Sequence, residues 1–165
     1  MQEILDLINE KDEVIGKASR EEVKTHRLLY RCAGVYLERN GKVAIEKRSA
    51  KKAIRPGNYS LIEETVKSGE SFEEAARRGV KEELGLEVQD LKFLGKKIII
   101  DDNYPDSFML GVFMCNGAGR IKLQKSEVEK VQFLSPKEVQ ELIKKEKKIS
   151  PGLCQTFRMY LEGQK

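Results

Sequence analysis

The chain has 165 residues, of which 39% are hydrophobic, 35% are charged and only 7% are aromatic. This length can bury one hydrophobic core, so we expect a single domain over residues 1–165, and the composition excludes an intrinsically disordered chain. The formal net charge is only +4 and tryptophan is absent, which argues against nucleic acid as a partner.

The cysteines and the N-terminus indicate where the protein works. Cys32, Cys115 and Cys154 are odd in number, far apart and without Cys-x-x-Cys spacing, which favours a reducing compartment. The residues after Met1 contain neither a basic region nor a long apolar run, so neither a signal peptide nor a membrane span is expected. The sequence therefore predicts a cytoplasmic protein that does not bind membranes, and it is compatible with a homodimer.

The first predicted elements are two short strands and a short helix. Residues 4–8 and 13–16 are strand-like pieces around a polar turn, which is typical of a hairpin. Ser19 and Glu22 form a capping box, which predicts a helix over 20–26.

A second hairpin signal and a basic loop follow. Residues 28–37 and 42–46 flank an Asn-Gly dipeptide at position 40, which supplies the positive φ angles of a tight turn. Residues 49–58 form a basic loop that contains a Pro-Gly pair, and 59–66 are a further strand candidate.

The strongest helix signal lies in the middle of the chain. Ser71 is an N-cap residue with Glu74 three positions later, and Gly85 can adopt the left-handed conformation that ends a helix. The remaining predicted elements are strands at 91–100, 108–115 and 131–134, a helix from Ser135-Pro136 to about 147, and a last helix over 152–161. This order predicts an α+β fold, a mixed sheet flanked by helices.

The central helix carries an acidic residue on its predicted core face. Its apolar stripe consists of Phe72, Ala75, Ala76, Gly79 and Val80. Glu83 falls on the same stripe and Glu82 lies at its edge. A carboxylate there is costly unless it is paired or bound to metal, so Glu83 either pairs with an Arg or Lys or holds a cation. Gly79 is also unusual, because glycine inside a helix costs roughly 1 kcal/mol relative to alanine.

The stretch 69–86, GESFEEAARRGVKEELGL, resembles the Nudix box. That box is a loop-helix-loop with the pattern Gly-x5-Glu-x7-Arg-Glu-U-x-Glu-Glu-x-Gly-U, in which U is aliphatic. The positions that match in register are Glu70, Arg78, Val80, Glu82, Glu83, Gly85 and Leu86. The resemblance implies the Nudix fold, a mixed β-sheet between helices, with the box over 64–86.

The similarity extends over nearly the whole chain, to the Nudix subgroup related to isopentenyl-diphosphate isomerase. The segments that resemble this subgroup are 5–16, His26-Arg27, Arg48 to Lys52, Pro56-Gly57 and 127–136. The resemblance makes residues 1–27 an N-terminal extension of a β-hairpin and a short helix. Isomerase activity is not expected, because the segment 63–66 reads Glu-Glu-Thr-Val where the isomerases have Cys-Gly-His-Pro, with a catalytic thiol and a metal-binding imidazole.

The resemblance also implies a chemistry and a set of roles. Nudix hydrolases cleave a diphosphate linked to another group by attack of water on phosphorus, with Mg²⁺ or Mn²⁺ shielding the oxygens. On the motif, Glu82 and Glu83 bind the metal, Glu70 supports it directly or through water, and Arg78 holds a carboxylate in orientation.

Three residues outside the box complete the site that the resemblance implies. Glu127 matches an acidic residue in the second half of the subgroup, and Arg48 and Lys52 match positions that contact the substrate diphosphate. Guanidinium and ammonium groups suit phosphate oxygens. For all three side chains, a solvated surface charge is the alternative interpretation.

Two residues depart from the motif in a reciprocal way. Glu64 replaces the opening glycine of the box, and Gly79 replaces the glutamate that follows the arginine. We hypothesise that Glu64, or its neighbour Glu63, places its carboxylate in the space vacated at Gly79 and restores the third acidic group. The alternative is two independent losses in a protein that no longer hydrolyses a substrate.

Two functions remain open from the sequence. The first is a metal-dependent pyrophosphohydrolase acting on a nucleoside di- or triphosphate or a related diphosphate compound. The second is a catalytically impaired Nudix module that binds a nucleotide or phosphorylated metabolite as a sensor or scaffold. Both imply a diphosphate-containing small molecule as partner, foremost a nucleotide.

Overall fold

The structure is a computed structural model that describes residues 2–104 and 106–164. Within these residues the strands are β1 (Ile4–Ile8), β2 (Val14–Ser19), β3 (Tyr30–Arg39), β4 (Lys42–Arg48), β5 (Tyr59–Ser60), β6 (Ile62–Thr65), β7 (Lys92–Asp101), β8 (Asp106–Asn116) and β9 (Val128–Leu134). The helices are α1 (Arg20–His26), α2 (Phe72–Leu84), α3 (Pro136–Lys145) and α4 (Pro151–Gly163). None of these helices is long and apolar enough to cross a membrane.

The main sheet is mixed, as expected. Its strand order is β5-β4-β3-β8-β7, and β6 and β9 pair with β3 and β4 respectively. β3 and β8 run parallel, whereas the other pairs are antiparallel. β3 and β4 pair only next to their turn, where Glu38 faces Val43 and Arg39 faces Lys42. Beyond that point the two strands separate, and β6 takes the place beside β3 that β4 leaves free.

The sheet lies between two helical layers, which confirms the predicted α+β arrangement. On one face, Val35, Ala44 and Ile62 pack with Val80 and Leu84 of α2. On the other face, a second core joins sheet residues to α3 and α4; its fully buried members include Tyr36, Ile45, Leu61, Leu110, Val139, Leu153 and Tyr160. Side chains along a strand alternate between faces, so consecutive sheet residues contact different helices.

The predicted N-terminal hairpin is present as β1 and β2, and polar contacts fix it to the domain. Asp12 accepts hydrogen bonds from Arg31 Nε at 2.6 Å and from Lys96 Nζ at 2.7 Å. Asp6 accepts a 2.7 Å bond from Ser68 Oγ in the loop before α2. The extension is therefore held against the loop that leads into the central helix.

Local sequence patterns predicted most of the helices and strands. Where the observed boundaries differ from the predicted ones, tertiary contacts are the cause. The helix predicted to about 147 ends at Lys145, and the strand predicted over 59–66 is divided at Leu61. Tyr59–Ser60 pairs with β4, whereas Ile62–Thr65 pairs with β3. The two halves have different partners because β3 and β4 have separated at this level.

The last helix approaches β6 at a glycine. A Cβ atom added at Gly152 would overlap Glu63 Oε1, because the Glu63 side chain points to the α4 face of the sheet. That oxygen is buried and has no hydrogen-bond partner among the described residues. The absence of a side chain at Gly152 is therefore what allows α4 to pack over Glu63.

We predict that Gly152→Ala destabilises the protein by about 1–3 kcal/mol, because the new methyl group must displace a carboxylate packed under the helix. Chemical denaturation measures the free energy of unfolding. Gly16→Ala is the matched control, since a Cβ there meets only Leu7 Cδ1 at 3.7 Å. Adding Glu63→Ala to Gly152→Ala should recover stability; equal stability of Gly152→Ala and the wild type would contradict the prediction.

Candidate active site

The central helix presents Glu82 and Glu83 in different surroundings. As expected, a reciprocal capping box between Ser71 and Glu74 begins the helix, and Gly85 in the left-handed conformation ends it. Glu83 is only 8% exposed and faces the sheet, whereas the Glu82 side chain is 50% exposed at the helix edge. Glu83 Oε2 is buried without a hydrogen-bond partner among the described residues. The ion pairs of the described residues include none between Glu83 and an Arg or Lys, which was one of the two alternatives for this residue.

Glu64 occupies the space that a side chain at position 79 would need. A Cβ atom placed on Gly79 would lie 2.9 Å from Glu64 Cβ and 3.5 Å from Glu64 Cγ. Glu64 Oε1 accepts a hydrogen bond from its neighbour Thr65 N at 3.0 Å. Burial raises the pKa of the Glu64 carboxyl, although nearby Arg78 acts in the opposite direction. The structure therefore brings together the two residues that depart from the motif.

Arg78 contacts three of the predicted acidic residues at once. Its Nε and Nη2 donate to the two oxygens of Glu70, both at 2.9 Å, and Nη2 also donates to Thr65 O at 2.7 Å. Its Nη1 lies 3.4 Å from Glu64 Oε1 and 3.5 Å from Glu82 Oε2. The bidentate pair with Glu70 fixes the guanidinium, which in turn orients the other two carboxylates.

A residue outside the predicted set, Glu46, meets Glu83 from the sheet. Glu46 lies on β4 and is 3% exposed, and its carboxyl is within hydrogen-bonding reach of the Glu83 carboxyl. Burial raises the pKa of both groups, that of Glu46 to about 8, and the proximity of Glu46 raises that of Glu83 further. Glu46 Oε1 also lacks a partner among the described residues.

Basic side chains from α1 and from the loop after β4 line a groove next to Glu64 and Glu83. The groove comprises adjoining cavities of about 100 and 340 Å³, and Lys52, Glu64, Glu83 and Glu127 line both. Lys52 Nζ forms an ion pair with Glu127 Oε2, so two predicted residues meet at the mouth. Neither is a free surface charge. Both side chains line the groove while remaining partly exposed to solvent.

Arg48 lines the smaller cavity and also holds the basic loop that follows β4. It donates from Nε to Arg55 O at 3.2 Å and from Nη2 to Ile54 O at 2.8 Å, which holds the basic loop in shape. Arg55 itself is buried and pairs with Asp101 at 2.8 Å and Asp106 at 3.1 Å. The loop is therefore anchored at both arginines.

The donor set fits a hard divalent cation in part. No three His, Cys, Asp or Glu side chains converge as a formed metal site within residues 2–104 and 106–164. However, the buried oxygens of Glu83 and Glu46 that lack partners are the ligand type that Mg²⁺ and Mn²⁺ prefer. Mg²⁺ commonly takes one or two carboxylates and completes its shell with water and substrate phosphate, so Glu82, Glu83 and Glu70 need not all bind it directly.

Comparison with protein families matches residues 28–155 to the NUDIX domain. The chain belongs to the Nudix family. It is 31% identical over 140 residues to an uncharacterised Nudix hydrolase of Streptomyces coelicolor, which covers 84% of this chain and 77% of that protein. It is also 31% identical over 142 residues to the uncharacterised Nudix hydrolase YfcD of Escherichia coli K12, covering 83% and 76%.

Solved structures agree on the fold. A Deinococcus radiodurans protein superposes with a TM-score of 0.75 at 24% identity, over 94% of this chain and 98% of that one. A MutT protein from Methanosarcina mazei superposes with a TM-score of 0.70 at 18% identity, over 83% and 96%. At these identities the likeness shows the Nudix fold alone.

Sequence reasoning missed Arg20 and Lys24, which line the groove, and Glu46, which meets Glu83 from the sheet. Arg20 and Lys24 on α1 line both cavities, although α1 precedes the matched NUDIX domain. Their four-residue spacing on a short helix was a weak signal of a shared face. Glu46 gave a stronger one, because a carboxylate that follows Val-Ala-Ile in a strand buried on both sides needs a reason.

We predict that Gly79→Ala destabilises this Nudix protein by about 1–3 kcal/mol, although alanine is the better helix former, because the new methyl group meets the backbone-anchored Glu64 Cβ. Denaturant titrations of Gly79→Ala, Glu64→Gly and the double variant measure the coupling free energy between the two positions. This coupling should be about 1 kcal/mol or more. Glu63→Ala in place of Glu64→Gly is the control, since Glu63 faces α4. A stabilising Gly79→Ala would show that the two residues do not share this space.

Proposed function

We propose that the protein is a metal-dependent pyrophosphohydrolase that acts on a nucleoside di- or triphosphate or a related diphosphate compound. The observation that carries this proposal is the Glu83 carboxylate, which is buried on the core face of α2 with an oxygen that no described residue satisfies. An unpaired buried carboxylate is costly, and a divalent cation is the partner that a Nudix box provides for it.

The groove supplies basic side chains for the substrate and carboxylates for a metal ion. Lys52, Arg48, Arg20 and Lys24 supply positive charge for the diphosphate oxygens. A bound Mg²⁺ or Mn²⁺ would be held by Glu82 and Glu83, with Glu70 in support, and would shield the negative charge on the phosphate oxygens.

The proton from the attacking water goes to a carboxylate, and Glu64 fits this role. It lies beside Gly79, where the motif has its missing glutamate, and its raised pKa makes it a better proton acceptor than a solvated carboxylate. Arg78 holds Glu64 and Glu82 in orientation through its fixed pair with Glu70. Glu127, paired with Lys52, sets the charge at the groove mouth.

The subgroup related to isopentenyl-diphosphate isomerase remains part of the proposal, without isomerase activity. Glu63 and Glu64 face opposite layers of the fold at the segment where the isomerases carry a thiol and an imidazole. The groove is lined mostly by polar and charged side chains, which suit a polar group better than a hydrocarbon chain. This favours a nucleotide as substrate. A cytoplasmic location stays a prediction.

A second function is favoured by one observation. Arg78 engages Glu64, Glu70 and Glu82 together, and in that arrangement these carboxylates form ion pairs instead of a metal site. A Nudix module that binds a nucleotide or phosphorylated metabolite as a sensor or scaffold would retain this network. Calorimetry with Mg²⁺ and a nucleotide panel, coupled to phosphate release, separates the two: binding without release supports the module.

We predict that Glu64→Gln lowers Mg²⁺-dependent turnover by about 100-fold or more, because glutamine keeps the shape of glutamate but cannot accept the proton. Steady-state kinetics on the best substrate of a panel of nucleoside diphosphates, triphosphates, sugar nucleotides and isoprenyl diphosphates measures the effect. Glu73→Gln is the control, since Glu73 lies on the exposed side of the same helix and pairs only with Arg77. Turnover that is unchanged in Glu64→Gln would rule out this role.

A further inference from the structure

Glu46 occupies a position in the sheet where a carboxylate is hard to accommodate. Its strand neighbours Val43, Ala44 and Ile45 are all at most 1% exposed, so β4 is covered on both faces here. Glu46 shares a face with Ala44, which packs in the core under α2. Its carboxyl therefore points at the central helix, where it meets Glu83.

Glu46 and Glu83 form a buried pair whose joint ionisation has a high electrostatic cost. Two carboxylates in contact in a low-dielectric site repel strongly unless a cation or a shared proton lies between them. Neither nearby guanidinium forms an ion pair with these two carboxyls among the described residues: Arg48, whose charge lowers the pKa of Glu46, donates from Nε and Nη2 to backbone carbonyls, and Arg78 is held by Glu70. Both members of the pair keep a buried oxygen without a partner among the described residues.

The geometry points to Glu46 as a ligand of the divalent cation, which it shares with Glu83. This inference rests on the proposed metal-dependent function and adds to it a ligand from the sheet that lies outside the Nudix box. Two carboxylates, water and substrate phosphate oxygens suffice for Mg²⁺ or Mn²⁺. The pair also leaves Glu64 free to act on water, because the ligand missing at Gly79 is supplied from β4.

The first experiment measures metal binding in the absence of substrate. Isothermal titration of metal-free full-length protein with Mn²⁺ compares the wild type, Glu46→Gln and Glu129→Gln, an exposed strand glutamate that pairs with Lys47. We expect about a tenfold or greater loss of affinity in Glu46→Gln and none in Glu129→Gln. Thermal unfolding of the metal-free proteins checks folding, and Glu46→Gln should melt no lower than the wild type, because the substitution removes repulsion.

The outcomes separate this inference from the proposed function. Wild type that binds no Mn²⁺ overturns the metal-dependent function itself. Wild type that binds Mn²⁺ while Glu46→Gln retains the same affinity overturns only the assignment of Glu46. Loss of affinity in Glu46→Gln with an intact melting transition supports the assignment.

A second variant distinguishes a ligand from a residue that only positions Glu83. A thiolate prefers soft cations, so Glu46→Cys should shift the ratio of Cd²⁺ to Mg²⁺ affinity in favour of Cd²⁺ by about tenfold or more relative to the wild type. A side chain that merely positions Glu83 would weaken both metals in parallel when replaced. A parallel loss would therefore overturn direct ligation by Glu46.

Discussion

The consecutive glutamates of β6 determine how the two helical layers approach the sheet. Glu63 and Glu64 point to opposite faces because side chains alternate along a strand. Each meets a glycine in the helix that covers its face, Gly152 in α4 and Gly79 in α2. Both helices can therefore lie close to the sheet while acidic side chains remain beneath them.

The charge around the groove is arranged in layers. At its deepest level lie the pair Glu46 and Glu83, which the described residues leave without a cation. Above them Arg78 joins Glu64, Glu70 and Glu82, of which Glu82 is the most exposed. The carboxylates that have a cationic partner thus lie nearer the surface than the two that lack one. A hard divalent ion that arrives with an anionic substrate would satisfy both levels.

Local patterns predicted the helical part of the site, because the information lies within a few residues. The capping box, the stripe that contains Glu83 and the terminal Gly85 are all consequences of helix geometry. The exchange between Glu64 and Gly79 was also visible, since a motif with fixed spacing shows which position has lost its side chain. The contact between these residues needed the structure.

Contacts between distant segments could not be predicted in the same way. The pairing of Lys52 with Glu127 joins residues 75 positions apart, and nothing in either local sequence specifies the other. Arg20 and Lys24 reach the groove because the N-terminal segment is held against the domain, by the contacts of Asp6 and Asp12 and by Leu5 and Val23 in the core. Long-range contacts of this kind depend on the strand order, which binary patterns do not determine.

The place of Glu46 follows from the separation of β3 and β4. A helix presents only residues three and four positions apart on one side, so α2 can offer positions 79, 82 and 83 to a single ion. With glycine at 79, any further carboxylate ligand comes from another element. If β3 and β4 stayed paired along their whole length, β6 could not enter beside β3, and Glu64 would not reach Gly79. The same separation leaves Glu46 beside β5 and β9, under the end of α2. The separation of β4 from β3 thus makes room for the Glu64 carboxylate, and β4 itself carries the Glu46 carboxylate.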